Sequence, residues 1–182
     1  MPDPTSYFQF YGLPEGFLLD EAALKAKYYQ LSRELHPDFH AQETPSAQAE
    51  ALRLSTLNTD AYRTLANADT RMAYLLGQHG LLEEGSAQNQ LPADFLMEVM
   101  DLNEQLMELE LEPDATATET LTTEVTALTD TLDAGIQPVL AGYAGLPPDH
   151  RPAALAQVKT YYLKKRYLLR LCQQLATFAA RS

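Results

Sequence analysis

The stretch that decides the fold lies near the amino terminus, where residues 20–40 read DEAALKAKYYQLSRELHPDFH. Apolar side chains recur there at steps of four, three and four, as on one face of an α-helix: Leu24, Tyr28, Leu31 and Leu35. Asp20 is a residue type that caps helix N-termini. Pro37 ends the helix because it has no N–H to donate and biases the preceding residue away from helical dihedral angles. The stretch therefore predicts a helix followed by a turn at His36-Pro37-Asp38.

Further helical patterns lie on both sides of this stretch, and no alternation typical of strands persists in the chain. A short apolar segment over residues 7–11 ends before Gly12. After a polar loop at Thr44-Pro45-Ser46, a long helix is predicted over about 47–67 and a shorter one from Asp69 to His79. The helices over about 20–35 and 47–67 are expected to form an antiparallel hairpin, with His36-Pro37-Asp38 exposed where they connect.

The second half of the chain begins after residues 83–90, which contain no large apolar side chain and predict a linker. Three further helical patterns follow, at about 92–111, 115–143 and 151–181. Because their connections are short, they predict an up-down-up bundle. We therefore expect an all-α protein with a helical N-terminal domain over residues 1–82 and a C-terminal three-helix bundle over residues 91–182.

The charge of the chain is distributed unevenly. Its formal net charge is −12, and the segment from Leu91 to Asp133 contains twelve acidic residues and no lysine or arginine. Nucleic-acid phosphates would be repelled by this region, so we expect no nucleic-acid binding there. An acidic helical surface is either solvated or suited to a basic partner protein.

The remaining composition excludes several classes of function. A single cysteine allows no internal disulfide, and the apolar stretches are too short to span a bilayer. Met1-Pro2-Asp3-Pro4 has neither the basic nor the apolar region of a targeting signal. No phosphate-binding glycine loop or nucleophile motif occurs. We expect a cytoplasmic protein that is not an enzyme, needs no cofactor or metal, and does not bind membranes.

The turn at His36-Pro37-Asp38 admits three interpretations. It can be an ordinary helix end in which Asp38 caps neighbouring N–H groups. It can form a metal or acid–base site of an enzyme from His36, Asp38 and His40, although the helix break prevents the two histidines from sharing a helical face as paired ligands do. It can also be a docking tip, since a carboxylate on a stiff turn is well placed to pair with an arginine of a partner protein.

The helix predicted over 92–111 has more apolar surface than a bundle core needs. Its core seam consists of Phe95, Val99, Leu102, Leu106 and Leu109. An apolar flank about 100° from this seam consists of Leu96, Met100 and Met107. Nearly opposite the seam lie Met97, Asp101, Glu104 and Glu108. The flank can pack against another helix, or it can bind a partner together with Met97 and the carboxylates, which would supply affinity and orientation respectively.

The order of the N-terminal elements resembles a J domain, the module that recruits DnaK-type ATPase chaperones. The resemblance rests on a short first helix, a hairpin joined at His36-Pro37-Asp38 and a closing helix. It implies that these three residues trigger ATP hydrolysis by the chaperone. It also implies that basic residues of the preceding helix, here Lys25 and Arg33, contact the chaperone. Phe39 follows the turn where many J domains have a basic residue.

Four short segments are more specific, and they are similar to the HscB family, the J-proteins dedicated to iron–sulfur cluster assembly. These segments are Tyr7-Phe8, Phe10-Tyr11-Gly12-Leu13-Pro14, Arg71-Met72-Ala73-Tyr74-Leu75-Leu76 with His79-Gly80, and Phe95-Leu96-Met97-Glu98. The resemblance implies a co-chaperone that binds the IscU-type scaffold protein and delivers it to the HscA-type chaperone. The scaffold-binding residues it implies are Leu96, Met97, Met100, Asp101, Glu104, Glu108 and Tyr162. A J-protein with a different client is the alternative.

Overall fold

The computed structural model describes residues 5–82 and 90–179 of the chain. Its α-helices are α1 (Tyr7–Tyr11), α2 (Glu21–Glu34), α3 (Pro45–Ala66), α4 (Ala68–Gln78), α5 (Ala93–Glu98), α6 (Met100–Leu111), α7 (Ala115–Gly142) and α8 (Arg151–Ala179). Short 3₁₀ helices occur at Pro37–His40, Tyr143–Gly145 and Pro148–His150. No strand occurs in the described ranges, which confirms the predicted all-α class. Within the same ranges, no helix is long and apolar enough to cross a membrane.

The chain divides into two compact units. The first ends at His79 and also contains Tyr143–Gly145, and the second begins at Gly80 and contains α5 to α8. The predicted linker over 83–90 lies outside the described residues except for Gln90, as do Met1-Pro2-Asp3-Pro4 and the last residues of the helix predicted to reach 181.

In the first unit, α2 and α3 form the predicted hairpin, and capping residues define where its helices begin. The side chain of Asp20 accepts a hydrogen bond from the backbone N–H of Ala23 at 3.0 Å. The hydroxyl of Thr44 accepts one from the N–H of Ala47 at 3.3 Å. The prediction of a loop at 44–46 was therefore wrong: α3 begins at Pro45, because proline is well suited to the first position of a helix and Thr44 caps it.

Asn58 is a buried polar residue that joins the first three helices. Its carbonyl and side-chain oxygens both accept from the Tyr11 hydroxyl at 2.8 Å. Its amide group donates to the Tyr28 carbonyl and to the Ser32 hydroxyl. Burial raises the pKa of Tyr11. Because each of these groups has a partner, the hydrogen bonds of Asn58 fix α1 against the hairpin and leave none of these polar atoms unsatisfied.

Arg71 is the second buried polar anchor of this unit, and it belongs to one of the segments that carry the family resemblance. Its guanidinium donates to the carbonyl of Phe17 at 2.9 Å and to the carbonyl of Leu65. Burial lowers its pKa. The residue therefore fastens the loop before α2 to the end of α3.

The second unit is a three-helix bundle in which α5 and α6 together form the first helix. The predicted seam of Phe95, Val99, Leu102, Leu106 and Leu109 is buried, as expected. It packs against Leu121 and Val125 of α7 and against Leu168, Leu171 and Leu175 of α8. The prediction of one continuous helix over 92–111 was wrong, because α5 ends at Glu98 and Val99 forms a turn. Hydrogen bonds from Val99 to Phe95 and from Asn103 to Val99 nevertheless preserve the helical spacing across the break.

Candidate docking surfaces

The turn after α2 is organised by the imidazole of His36. This residue has an extended backbone, as expected before proline, and its Nδ1 accepts a hydrogen bond from the N–H of Asp38 at 3.3 Å. The cap is therefore formed by His36 and not by the Asp38 carboxylate. That carboxylate lies 3.6 Å from the same nitrogen, and its side chain is 87% exposed. An exposed acid on a stiff turn is the arrangement that the docking interpretation requires.

His40 fastens the far side of the turn. Its Nε2 donates to the carbonyl of Glu34 at 2.8 Å, and its Nδ1 lies 3.1 Å from the Glu43 carboxylate. The Glu34 carbonyl, followed by the Glu43 carboxylate, raises the pKa of His40. With its ring engaged in this way, His40 is not directed at a site with His36 and Asp38. Among the described residues, no group of three or more metal-ligating side chains is present.

The exposed face of α2 carries two of its three basic residues. Lys25 and Arg33 are exposed, and Tyr29 lies between them at the same helical spacing. Lys27 is used differently, because its ammonium group donates to the carbonyl of Tyr11 at the end of α1. Beyond the turn, Phe39 is 73% exposed, and its ring meets that of His36 edge to face at 6.2 Å. The first candidate docking surface therefore consists of a short basic and aromatic stripe that leads to His36, Pro37 and Asp38.

The second candidate docking surface lies on α5 and α6. Leu96, Met97 and Met100 are exposed, and Met97 is 77% exposed. Such exposure does not fit the interpretation that Leu96 and Met100 pack against another helix of the bundle. Asp101, Glu104 and Glu108 are exposed on the same helix. Tyr162 of α8 is half-buried, with the Arg166 guanidinium 5.7 Å from its ring centroid.

A groove and a polar network in the bundle were not predicted from the sequence. The groove, of about 570 Å³, lies between α5, α7 and α8 and is lined by residues that include Phe95, Leu132, Ile136 and Lys164. On one wall, the Tyr161 hydroxyl donates to Asp133 at 2.7 Å, and the Lys165 ammonium group donates to both. Burial raises the pKa of Tyr161. Burial opposes the charge of Lys165, but the hydrogen bonds outweigh it and raise the pKa of Lys165. Asp133, the last acidic residue of α7, and the basic run 164–166 are the sequence signal that could have revealed this network.

Comparison with known proteins agrees with this geometry. Residues 91–176 match the family model of the HSCB C-terminal oligomerisation domain. A solved structure of the chaperone HscB from Vibrio cholerae has a TM-score of 0.62 and 27% identity, and the match covers 97% of this chain and 98% of that chain. The chain has the fold of HscB. Its first unit is accordingly the J domain of an HscB-type fold, and its second is the C-terminal helical bundle.

Other HscB proteins show the same similarity. The crystal structure of the human co-chaperone protein HscB has a TM-score of 0.68 and 28% identity, over 97% of this chain and 83% of that one. The human iron-sulfur cluster co-chaperone protein HscB is 38% identical over 112 residues, which are 61% of this chain and 48% of the relative. The co-chaperone protein HscB homolog of Vibrio vulnificus strain YJ016 is 36% identical over 57% of this chain and 61% of its own length. These alignments span about half to three fifths of the curated relatives.

Proposed function

We propose that this chain is a co-chaperone of iron–sulfur cluster assembly. In this proposal, residues 91–182 bind a scaffold protein of the IscU type, and residues 1–82 act as a J domain that stimulates the ATPase of a DnaK-type chaperone of the HscA type. The chain thereby delivers the scaffold to the chaperone and assists cluster assembly and transfer. The observation that carries the proposal is the presence of one exposed docking surface in each unit, with different chemistry.

The chemistry of the first surface supports contact with a chaperone. Lys25 and Arg33 present positive charge on the exposed face of α2, and Asp38 presents a carboxylate on a turn that His36 and Pro37 hold rigid. A rigid carboxylate loses little entropy when it pairs with an arginine. The surface therefore suits a partner that offers an acidic patch beside an accessible arginine.

The chemistry of the second surface supports contact with a basic, partly apolar scaffold. Leu96, Met97 and Met100 supply apolar contact, and the unbranched methionines can adapt to the shape of a partner. Asp101, Glu104 and Glu108 supply charge that favours correct orientation and disfavours acidic partners. Tyr162 is the candidate aromatic contact from α8.

Two surfaces on one chain explain how the protein acts without catalytic residues. A scaffold held by the bundle is tethered to the J domain, which raises its effective concentration at the chaperone. Neither surface contains a paired nucleophile and base or a phosphate-binding loop. We infer that the protein is not an enzyme, that it works in the cytoplasm, and that it requires no cofactor of its own.

The first experiment measures chaperone ATPase activity with the purified chain and scaffold. His36→Gln should abolish the stimulation while leaving scaffold binding intact, because it alters only the turn. His150→Gln, in an exposed 3₁₀ helix of the other unit, is the matched control and should stimulate fully. Full stimulation by His36→Gln would exclude the assigned role of the turn.

The second experiment measures scaffold binding by calorimetry. Replacing Leu96, Met97 and Met100 with serine should weaken binding and leave the J domain folded. Leu169→Ser, at an exposed apolar position of α8, is the control. If stimulation occurs without any binding of purified scaffold, the chain is a J-protein for a different client.

A further inference from the structure

An exposed apolar stripe continues beyond the residues that the proposed function assigns to scaffold binding. Met107 is 64% exposed and Leu111 is 88% exposed. Together with Leu96 and Met100 they recur at steps of four, seven and four, which places all four within about 60° of one helical face. We call these four residues the α5–α6 stripe. It extends over about 22 Å of helix, whereas Leu96 and Met100 alone span about 6 Å.

The fold does not require the far half of the stripe. The bundle core is supplied by a different face of the same helices, about 100° or more from the stripe, where Leu102, Leu106 and Leu109 are buried. At 88% exposure, the side chain of Leu111 contributes almost nothing to packing within the unit. Single exposed apolar residues are common in proteins, but an aligned row of four is typical of a binding surface.

The middle of the stripe is held rigid. Asn103 occupies the position between Met100 and Met107, and its amide group donates to the Val99 carbonyl at 2.7 Å. Its side-chain oxygen accepts from the Tyr167 hydroxyl of α8 at 2.6 Å. The two halves of the stripe therefore belong to one surface that is fixed to the bundle, and a partner bound at Leu96 and Met100 would find Met107 and Leu111 in line.

The charges beside the stripe identify the kind of partner. Carboxylates border it on both sides, Glu104 and Glu108 on one edge and Glu110 on the other, and all three are exposed. No lysine or arginine occurs between Arg71 and Arg151. A second copy docked stripe to stripe would bring these carboxylates together, and like charges at an interface are costly. A partner with an apolar strip bordered by lysine or arginine fits instead.

We propose that Met107 and Leu111 bind the same scaffold protein as Leu96, Met97 and Met100, through a second apolar contact at the carboxyl end of α6. This inference rests on the proposed function and deepens it by extending the site. The scaffold must then carry an apolar strip about 20 Å long with basic residues along both edges. Contact at both ends of the helix fixes the angle at which the scaffold is held, which one contact at α5 leaves free.

The test compares scaffold affinity among three variants by calorimetry. Met107→Ser combined with Leu111→Ser should weaken binding roughly tenfold or more, as expected when apolar anchors of an interface are truncated. The melting temperature should stay unchanged, because both residues are exposed. The control, Leu169→Ser on α8, should bind like the unsubstituted chain. In Glu104→Gln with Glu110→Gln, binding should become weaker and less sensitive to salt.

Each possible result decides between this inference and others. If Leu96→Ser with Met97→Ser loses affinity but Met107→Ser with Leu111→Ser does not, the extension is wrong and the proposed function stands. If the unsubstituted chain does not bind purified scaffold, the proposed function and the extension are both wrong. If the unsubstituted chain self-associates in sedimentation equilibrium and the Met107→Ser, Leu111→Ser variant does not, the stripe binds a second copy, which overturns the proposal.

Discussion

The imidazole of His40 hydrogen-bonds the carbonyl oxygen of Glu34 at 2.8 Å, across the turn that carries His36-Pro37-Asp38. The Nδ1 of the same ring lies 3.1 Å from the Glu43 carboxylate. One side chain therefore connects the end of α2 to the loop that precedes α3. The rigidity of the turn depends on a group that titrates near neutral pH.

The first prediction concerns pH. The Glu34 carbonyl and the Glu43 carboxylate raise the pKa of His40 above its ordinary value of 6.5, so the folded state binds the proton more tightly than the unfolded state does. The resulting stability is fully present below the unfolded pKa and is lost as pH rises through the folded pKa. NMR titration of the imidazole should show the raised pKa. The difference in the free energy of urea unfolding between the unsubstituted chain and His40→Gln should shrink as pH rises through the folded pKa of His40.

His150 provides the control for this prediction. His150→Gln, at an exposed histidine of the second unit, is the matched substitution that leaves the contacts of His40 intact. A titration of His40 at or below 6.5 would contradict the assigned role of its contacts with the Glu34 carbonyl and the Glu43 carboxylate.

The second prediction distinguishes the exposed basic residues of α2 from the one that bonds within the fold. Lys25→Ala with Arg33→Ala should lower stimulation of the chaperone ATPase while leaving the melting temperature unchanged, since both side chains are exposed. Lys27→Ala should instead lower the free energy of unfolding by about 1 kcal/mol, because it removes a hydrogen bond to the Tyr11 carbonyl. ATPase assays and thermal unfolding of both variants check this. Equal effects of the two variants on stability would contradict it.

The third prediction concerns the buried guanidinium of Arg71. Arg71→Met should lower the free energy of unfolding of the first unit by about 2–3 kcal/mol, because the carbonyls of Phe17 and Leu65 lose their partner in a buried place. Arg63→Met, at an exposed position of α3, should change stability by no more than about 0.5 kcal/mol. Urea unfolding measures both, and similar values would show that Arg71 is not an anchor.

The fourth prediction concerns the polar network of the bundle. Asp133→Asn should destabilise the second unit by about 1–2 kcal/mol, since it weakens bonds to Tyr161 and Lys165 that are partly exposed to solvent. Asp130→Asn, at an exposed position one turn earlier on α7, is the control and should have little effect. An unchanged unfolding midpoint for Asp133→Asn would mean that the network contributes nothing measurable.

Periodicity was sufficient to predict the helices and the core seam, because a buried helical face requires apolar residues at regular spacing in the sequence. Leu102, Leu106 and Leu109 are buried as the spacing required. The start of α3 and the end of α5 were missed, because the residue types found there are compatible with more than one local structure. Pro45 looked like part of a loop but begins α3, and Val99 keeps its place in the seam while ending α5.

The candidate site was predictable only in part. An apolar arc wider than the core needs indicated a second surface, but it left open whether Leu96 and Met100 pack against another helix, and the structure shows both to be exposed. The sequence did not reveal that Lys27 bonds within the fold, because its partner Tyr11 lies 16 residues away and is brought near only by the fold. The network of Asp133, Tyr161 and Lys165 could not be predicted for the same reason, since it joins two helices whose register the sequence does not specify.

The hydrogen bond between Tyr167 and Asn103 has a kinetic consequence for partner binding. Because α6 is fastened to α8 in the free protein, its backbone has no folding step left to complete when a scaffold arrives. Association should then be governed by diffusion and charge, and differences in affinity among surface variants should appear mainly in how long the complex lasts. Under the proposed function, the complex of the chain with its scaffold thus has a lifetime that single side chains of α5 and α6 can adjust.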